Sequence, residues 1–166
     1  MEPLAGAVLV AATITVGLVA GVFALYAHTI MPGLRPTDDR TFVAAFQSMD
    51  RAIINPWFMA CFLGGVVLTG LAGALQLGPD RRPVLPWTAA AFALYLATVV
   101  ITFAVNVPLN DAIKAAGEPD RISDLASVRA RFDEARWAAW NLARTVMSTA
   151  AFGCLAWALV TYGRRS

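Results

Sequence analysis

Four stretches of the chain are too long and too apolar to belong to a water-soluble globule. Residues 4–30, 56–77 and 85–109 contain no Asp, Glu, Lys or Arg, and residues 137–162 contain one, Arg144. A helix needs ~20 apolar residues to cross the ~30 Å hydrocarbon layer, and each stretch meets that length. The rest of the composition agrees. Hydrophobic residues make up 58 % of the 166 and charged residues 14 %, against about 25 % charged in a typical soluble domain. The expected fold is therefore all-α: one domain over residues 1–166, an integral membrane four-helix bundle. The opening Met1-Glu2-Pro3 lacks the positive start of a signal peptide, so the first stretch is expected to stay as a span. A net charge of +2 with no basic stripe leaves no footprint for nucleic acid.

Four spans bring both termini to one side. On that side residues 78–83 form a tight Gly-Pro-Asp-Arg-Arg-Pro turn, with Pro86 opening the third span and Trp87 at interfacial depth. Tyr162, Gly163, Arg164 and Arg165 close the fourth. The other two connections are longer, and each is expected to carry an amphipathic cap helix, about 38–54 and about 121–136. Thr37 is the expected N-cap of the first, with Asp38 and Asp39 in its opening turn and Phe42, Phe46, Met49 and Ile53 on its buried face. The second is expected to start among Asp120–Asp124 and to run unbroken into span four. Short Arg pairs at 81–82 and 164–165 favour the turn side as cytoplasmic, which gives a multi-pass protein of a bacterial inner membrane with cytoplasmic termini.

Few residues are available for metal or redox chemistry. Cys61 and Cys154 sit inside apolar runs and read as small buried side chains. One His, His28, excludes bis-His haem, a two-His iron site and a His-rich zinc or copper cage. The single Lys, Lys114, against twelve Arg, reads as a compositional bias without functional weight.

The alternation of spans gathers polar residues at one depth. His28 ends span one, Asn55 starts span two, Asn106 ends span three and Asn141 lies near the start of span four. Helical spacing adds their neighbours. Arg51 precedes Asn55 by four residues, and Asn110 follows Asn106 by four. Trp137, Asn141, Arg144 and Ser148 fall on one face, with Trp140 four residues before Arg144. Arg144 lies about 10 Å inside the span at ~1.5 Å per residue. A cation there costs about 2–3 kcal/mol unless it snorkels or is paired, and Asp50 or Asp111 could pair with it. Two readings follow: a network that fixes helix register, or a polar pocket under the cap helices. In the pocket His28, Arg144 and Asn141 are the catalytic candidates, and Gln47, Arg51, Asn55, Asn106, Asn110, Trp137 and Trp140 the substrate-binding ones. His28 is the one side chain with an ordinary pKa near neutrality. Met31 and Met49 read as packing. Gly17/Gly21 and the glycines at 64, 65, 70 and 73 read as points of close helix approach.

The motifs Met31-Pro32-Gly33-Leu34, Gln47, Asp50-Arg51 through Asn55-Pro56, then Asn106-Val107-Pro108-Leu109-Asn110, then Trp137 to Arg144, taken together and in this order, resemble a family. It is the small four-helix membrane family that contains the fungal anthrone oxygenases, many of whose bacterial members have no assigned activity. The resemblance covers nearly the whole chain. It implies a four-helix membrane protein and, for some members, oxidation of an anthrone to an anthraquinone by O2. The matching positions are Gln47, Arg51, Asn55, Asn106, Asn110, Trp140, Asn141 and Arg144.

Three functions compete. The first is a membrane oxygenase for a lipophilic, enolisable polycyclic phenol of polyketide type, with no cofactor or metal. In it Arg144 and Arg51 steady the oxyanion, His28 or Asp50 takes the proton, and Trp137 and Trp140 stack on the ring. The second is a non-enzymatic module that binds a lipid, a quinone or a haem, the haem with His28 as its single axial ligand. The third is a structural subunit or small transporter, for which internal repeats are missing. The partners expected are the lipid bilayer and a lipophilic small molecule. A homo-oligomer is compatible with the pattern.

Overall fold

The computed structural model describes residues 2–78 and 81–164. Pro79 and Asp80 of the expected turn, together with Met1, Arg165 and Ser166, lie outside the described residues. The described elements are all helical. Helix α1 covers Glu2–Leu25, a π-turn Tyr26–Ile30, and α2 Met31–Leu34. Helices α3 and α4 cover Asp39–Ile53 and Pro56–Ala74. Helix α5 covers Leu85–Ile101, a second π-turn Thr102–Asn106, and α6 Val107–Ala115. A 3-10 turn at Pro119–Arg121 precedes α7, Leu125–Phe132, and α8, Glu134–Gly163.

Four of these helical segments are long and apolar enough to cross a membrane: Pro3–Leu34, Pro56–Ala74, Leu85–Ala115 and Leu125–Gly163. The chain is thus a helical bundle and a multi-pass membrane protein. Helix α8 packs on α1 and α5, and α4 packs on the same two, which closes a square. The outer faces stay apolar: Ile14, Leu18, Val67, Val100, Val146 and Trp157 are exposed, as a lipid-facing surface requires. Through the middle of the square run Leu9, Ala12, Val16, Tyr95, Ala151, Leu155 and Ala158, each fully buried. Gly17 faces Phe152 closely enough that a Cβ would lie 2.9 Å from the ring, whereas Gly21 meets nothing within 4 Å, so only the first glycine of that pair serves helix approach. Gly65 is tighter still, with the Tyr95 ring 2.6 Å from a notional Cβ and the Tyr95 hydroxyl donating to the Phe62 carbonyl at 3.0 Å. Buried threonine hydroxyls in this half bond back to their own helix, Thr13 to the Leu9 carbonyl at 2.7 Å and Thr69 to that of Gly65 at 2.7 Å, so these need no partner across the bundle.

At the other end the spans lose their regularity. Met31 N–H donates to the Tyr26 carbonyl, and Val107 N–H to that of Thr102. Both are i→i−5 bonds, and each π-turn is followed at its second residue by a proline, Pro32 or Pro108. A proline ring collides with the carbonyl four residues back and offers no N–H, and a widened turn accommodates both defects.

The cap differs from expectation in three details, while the start of its second helix falls where expected. Asp38, not Thr37, is the N-cap of α3, accepting from Thr41 N–H at 3.0 Å, while the Thr37 hydroxyl donates to the Leu34 carbonyl at 2.6 Å. The buried face of α3 is Phe42, Val43, Phe46, Gln47 and Asp50, so the stripe leans toward two polar residues and away from Met49. Asp124 caps α7 through Ser127 N–H at 2.9 Å. The expected unbroken helix into span four stops at Asp133, which has a left-handed backbone (φ 52°, ψ 67°), ends α7, and caps α8 by accepting from Arg136 N–H at 3.1 Å. The cap is bolted down by Arg129. Its guanidinium donates to the Arg35 and Thr37 carbonyls, pairs with Asp39 and Glu134, and stacks 4.2 Å from the Phe42 ring. Beneath it Phe42, Phe46, Phe132 and Trp137 form one aromatic cluster.

Candidate functional site at the capped end

Between the cap cluster and the bundle core lies a cavity of about 260 Å³, close to the size of a small-molecule site, ~300 Å³ and upward. Its walls are chiefly aromatic and aliphatic, with Phe23, Tyr26, Phe46, Phe58, Phe62, Phe103 and Trp137 among them. Its polar side chains include Tyr26, Asp50, Thr102, Asn110, Asp111, Lys114 and Arg144. The two π-turns supply Tyr26 and Thr102.

The polar groups form two separate clusters. The inner one centres on Arg144, which is 6 % exposed. Its Nε donates to Asn141 Oδ1 at 3.0 Å and its Nη1 to Thr102 Oγ1 at 3.4 Å. Its guanidinium carbon sits 4.2 Å from the Phe23 ring centroid and 5.3 Å from that of Trp137, in the geometry of a cation–π contact. Asn141 Nδ2 in turn donates to the Phe23 carbonyl at 3.2 Å. Among the described residues no carboxylate lies within ion-pair distance of Arg144, so neither Asp50 nor Asp111 pairs with it.

The outer cluster spans the cap. Lys114 Nζ lies 2.7 Å from Asp50 Oδ2 and 3.0 Å from Asp111 Oδ1. Asn110 Nδ2 donates to Asp50 Oδ1 at 2.6 Å, and Trp137 Nε1 donates to Asn110 Oδ1 at 2.7 Å. An unbroken chain of contacts thus joins α8, α6 and α3 across the cavity roof. Lys114, set aside in the sequence as compositional, is its central cation, and its spacing of four residues from Asn110 is the signal that was available. Tyr26 and Thr102 were missed because Pro32 and Pro108 mark where the helices are disturbed but not which residues of an all-apolar run the disturbance turns inward.

Of the ten candidates, Arg144, Asn110 and Trp137 line the cavity. Asn141 orients Arg144. Asn106 is fully buried behind it, with Nδ2 donating to the Trp137 carbonyl at 3.3 Å and Oδ1 without a partner. Gln47 pins α3 to the end of α6 by donating to the Ile113 and Gly117 carbonyls at 2.7 and 3.1 Å. The other four lie elsewhere. His28 is exposed and bonds its neighbour Thr29 at 2.6 Å. Its π-turn carries one residue more than an α-turn, and ~100° of rotation per residue moves it off the inner face. Arg51 is exposed, because the neighbouring Asp50 takes the buried phase of α3. Asn55 is spent as the N-cap of α4, accepting from Phe58 N–H at 2.9 Å. Trp140 is 40 % exposed on the outer face of α8. Among the described residues no three His, Cys, Asp or Glu side chains cluster as a metal site would need.

The fold and site define a membrane helical bundle with a lipophilic, charge-lined cavity at one end. The anthrone oxygenase family matches residues 57–154, more than half of the chain, and the protein belongs to that family. The matched segment carries Asn110, Lys114, Trp137, Asn141 and Arg144, while Tyr26 and Asp50 lie ahead of it. No curated protein and no solved structure matches the chain.

Proposed function

We propose that the protein is a membrane-embedded oxygenase that oxidises a flat, lipophilic, enolisable polycyclic phenol of anthrone type with O2, using side-chain chemistry alone. One observation carries the reading: Arg144 is a cation buried inside a span beside an aromatic-walled cavity, with no carboxylate in ion-pair contact among the described residues. A cation without a contacting anion in that position is costly, and an oxyanion formed on a bound ligand is the partner that would compensate it. In this scheme Asp50 takes a proton from the ring methylene, and the resulting enolate rests its oxygen on Arg144 in a low-dielectric site. Electron transfer to O2 and recombination form a C–OOH bond. Loss of the second ring proton with cleavage of the O–O bond leaves the quinone carbonyl and one water, so one O2 is consumed per quinone. Trp137 and Phe23 wall the ring, and Asn141 and Asn110 hold Arg144 and Asp50 in place. The reading takes the turn end as cytoplasmic and the membrane as a bacterial inner membrane.

Following anthrone oxidation and O2 uptake with purified protein tests it. The expected result is acceleration over the spontaneous reaction and a loss of about 10²–10³ in kcat for Arg144→Ala, the range for removing an oxyanion donor. Wild type no faster than the spontaneous reaction, or full activity in Arg144→Ala, would count against it. One observation favours a second reading, a ligand-binding module without turnover. Lys114 and Asn110 already occupy both carboxylate oxygens of Asp50, at 2.7 and 2.6 Å, so neither oxygen is free toward a guest. Tight binding of an anthrone with no quinone formed would select that reading.

A further inference from the structure

The cavity lies at membrane depth under a roof, so the route by which a guest reaches it is a separate matter from what happens inside. Its walls differ in kind. On the aqueous side Asp50 of α3 and Lys114 of α6 are bridged at 2.7 Å, Asn110 ties Asp50 to Trp137, and Phe46 and Trp137 are each 2 % exposed. That side is held by an ion pair and packed rings, and the one lining residue it exposes widely is charged: the Asp111 side chain is 61 % exposed and is paired with Lys114. On the flank between the start of α4 and the Thr102–Val107 segment the lining residues are apolar and open. Ile54 is 58 % exposed and Phe103 51 %, with Phe58, Met59 and Val107 half-buried beside them. These residues are simultaneously cavity wall and outer surface, as the rim of an opening must be. They lie at the start of α4 and around the second π-turn, with Trp57 at 75 % exposure next to them.

We propose that the cavity opens sideways into the bilayer through this rim, and that its ligand is a membrane-partitioned aromatic which arrives from among the acyl chains while the Asp50–Lys114 bridge keeps the aqueous side shut. The proposal takes from the function argued above only that the cavity holds a lipophilic guest, and no turnover is needed to test it. A lateral opening selects for partition into lipid before any contact with Arg144 and admits an apolar face more readily than a charged one. The bridge then excludes water from the place where an oxyanion would rest, which strengthens the field of Arg144.

Thiol accessibility in phosphatidylcholine vesicles reads the opening directly. In a Cys61→Ala/Cys154→Ala background, Thr102→Cys places a near-isosteric thiol in the cavity beside Arg144, whose charge favours the thiolate. Met59→Cys is a second probe position on the rim. Both proteins are first checked for a monodisperse profile. The reagents are a lipid-soluble cyclohexylmaleimide and a membrane-impermeant sulfonated thiosulfonate applied to both faces, the latter normalised to exposed Ser48→Cys. The maleimide is expected to label Thr102→Cys, and the sulfonated reagent to label it at least about tenfold more slowly than Ser48→Cys. Adding Val107→Phe to narrow the rim is expected to slow the maleimide about tenfold, equivalent to raising the access barrier by about 1.4 kcal/mol. Adding Lys114→Met is expected to admit the sulfonated reagent. Rapid labelling by the sulfonated reagent with Lys114 intact, indifference of the maleimide rate to Val107→Phe, or no labelling by either reagent would each overturn the lateral opening. Labelling as expected in a protein that oxidises no anthrone would leave the opening standing and remove the oxygenase.

Discussion

The two ends of the bundle are built from the same four spans and behave as different materials. In the turn half, small residues let backbones approach, with Gly65 against Tyr95 and Gly17 against Phe152. Threonine hydroxyls there close onto their own helices, and Leu9, Ala91, Leu155 and Ala158 are fully buried. In the capped half every span is interrupted or terminated, by a π-turn in α1 and α5, by the Asn55 cap before Pro56, and by the left-handed Asp133 before α8. Interrupted helices cannot keep the close register of the other half. The space they leave holds the cavity, and buried charges gather around it. One buried polar residue breaks the pattern: Gln76, at the turn end, is fully buried with both side-chain polar atoms unpartnered. The lesson is that room for a ligand arises here from helix defects, with prolines setting where they occur.

This contrast can be broken most sharply by chemistry. Asp50→Asn is expected to lower the kcat of the folded protein for anthrone oxidation by about 10²–10⁴, the range for losing a general base, and also to cost stability, because an amide that still accepts from Asn110 turns its NH2 toward Lys114. Comparable loss of activity from Thr69→Ala, deep in the tight half, would show that the two halves are not functionally separate. Next in size is Gly65→Ala. Its Cβ would meet a Tyr95 ring that is itself buried and hydrogen-bonded, and overpacking of this kind costs about 1–3 kcal/mol. Unfolding in mixed micelles should reveal it, while the same change at Gly21, where a Cβ meets nothing within 4 Å, is expected to be silent. Equal effects at the two glycines would contradict the close-packed account.

The smallest effect concerns Asp38. The Thr41 backbone amide, followed by the Thr41 hydroxyl, holds its carboxyl below the ordinary value of 3.8. A depressed folded-state pKa contributes stability that is fully present above the unfolded value and is lost as pH falls through the folded one. Hydrogen exchange at the first turn of α3 should therefore quicken on acidification below about pH 4 in wild type. It should change less in Asp38→Asn, whose neutral amide caps at any pH. An identical acid response in the two proteins would remove the carboxylate from the account.

Much of the architecture was legible in the sequence because lipid imposes a length on uncharged runs, and because alternating spans force residues such as Asn106 and Asn141 to one depth. The i, i+4, i+3, i+4 spacing of Trp137, Asn141, Arg144 and Ser148 also found the inner face of α8, where all four are buried. Rotation about the other axes was not legible. A helix that is apolar all round carries no phase, so nothing showed that His28 turns outward or that Tyr26 turns in. Arg51 and Asp50 are adjacent and equally polar, and only packing against α6 chose Asp50. Asn55 was diverted by a local need, an unsatisfied N–H at the start of α4, which outranks a distant pocket. The break at Asp133 was hidden because a single left-handed Asp interrupts helical periodicity without shifting the apolar pattern on either side.

The central claim is that Arg144, and not the His28–Arg51 side of the same depth, receives the ligand. Titrating a hydroxyanthraquinone into purified protein in phosphatidylcholine nanodiscs, followed by quenching of Trp137 against a background in which the other Trp residues are Phe, tests it most directly. The account predicts one site per chain, weakened about tenfold or more by Arg144→Ala, a loss of at least about 1.4 kcal/mol, and unchanged by His28→Ala or Arg51→Ala. Undiminished affinity in Arg144→Ala, or a loss that follows His28 or Arg51, would contradict it.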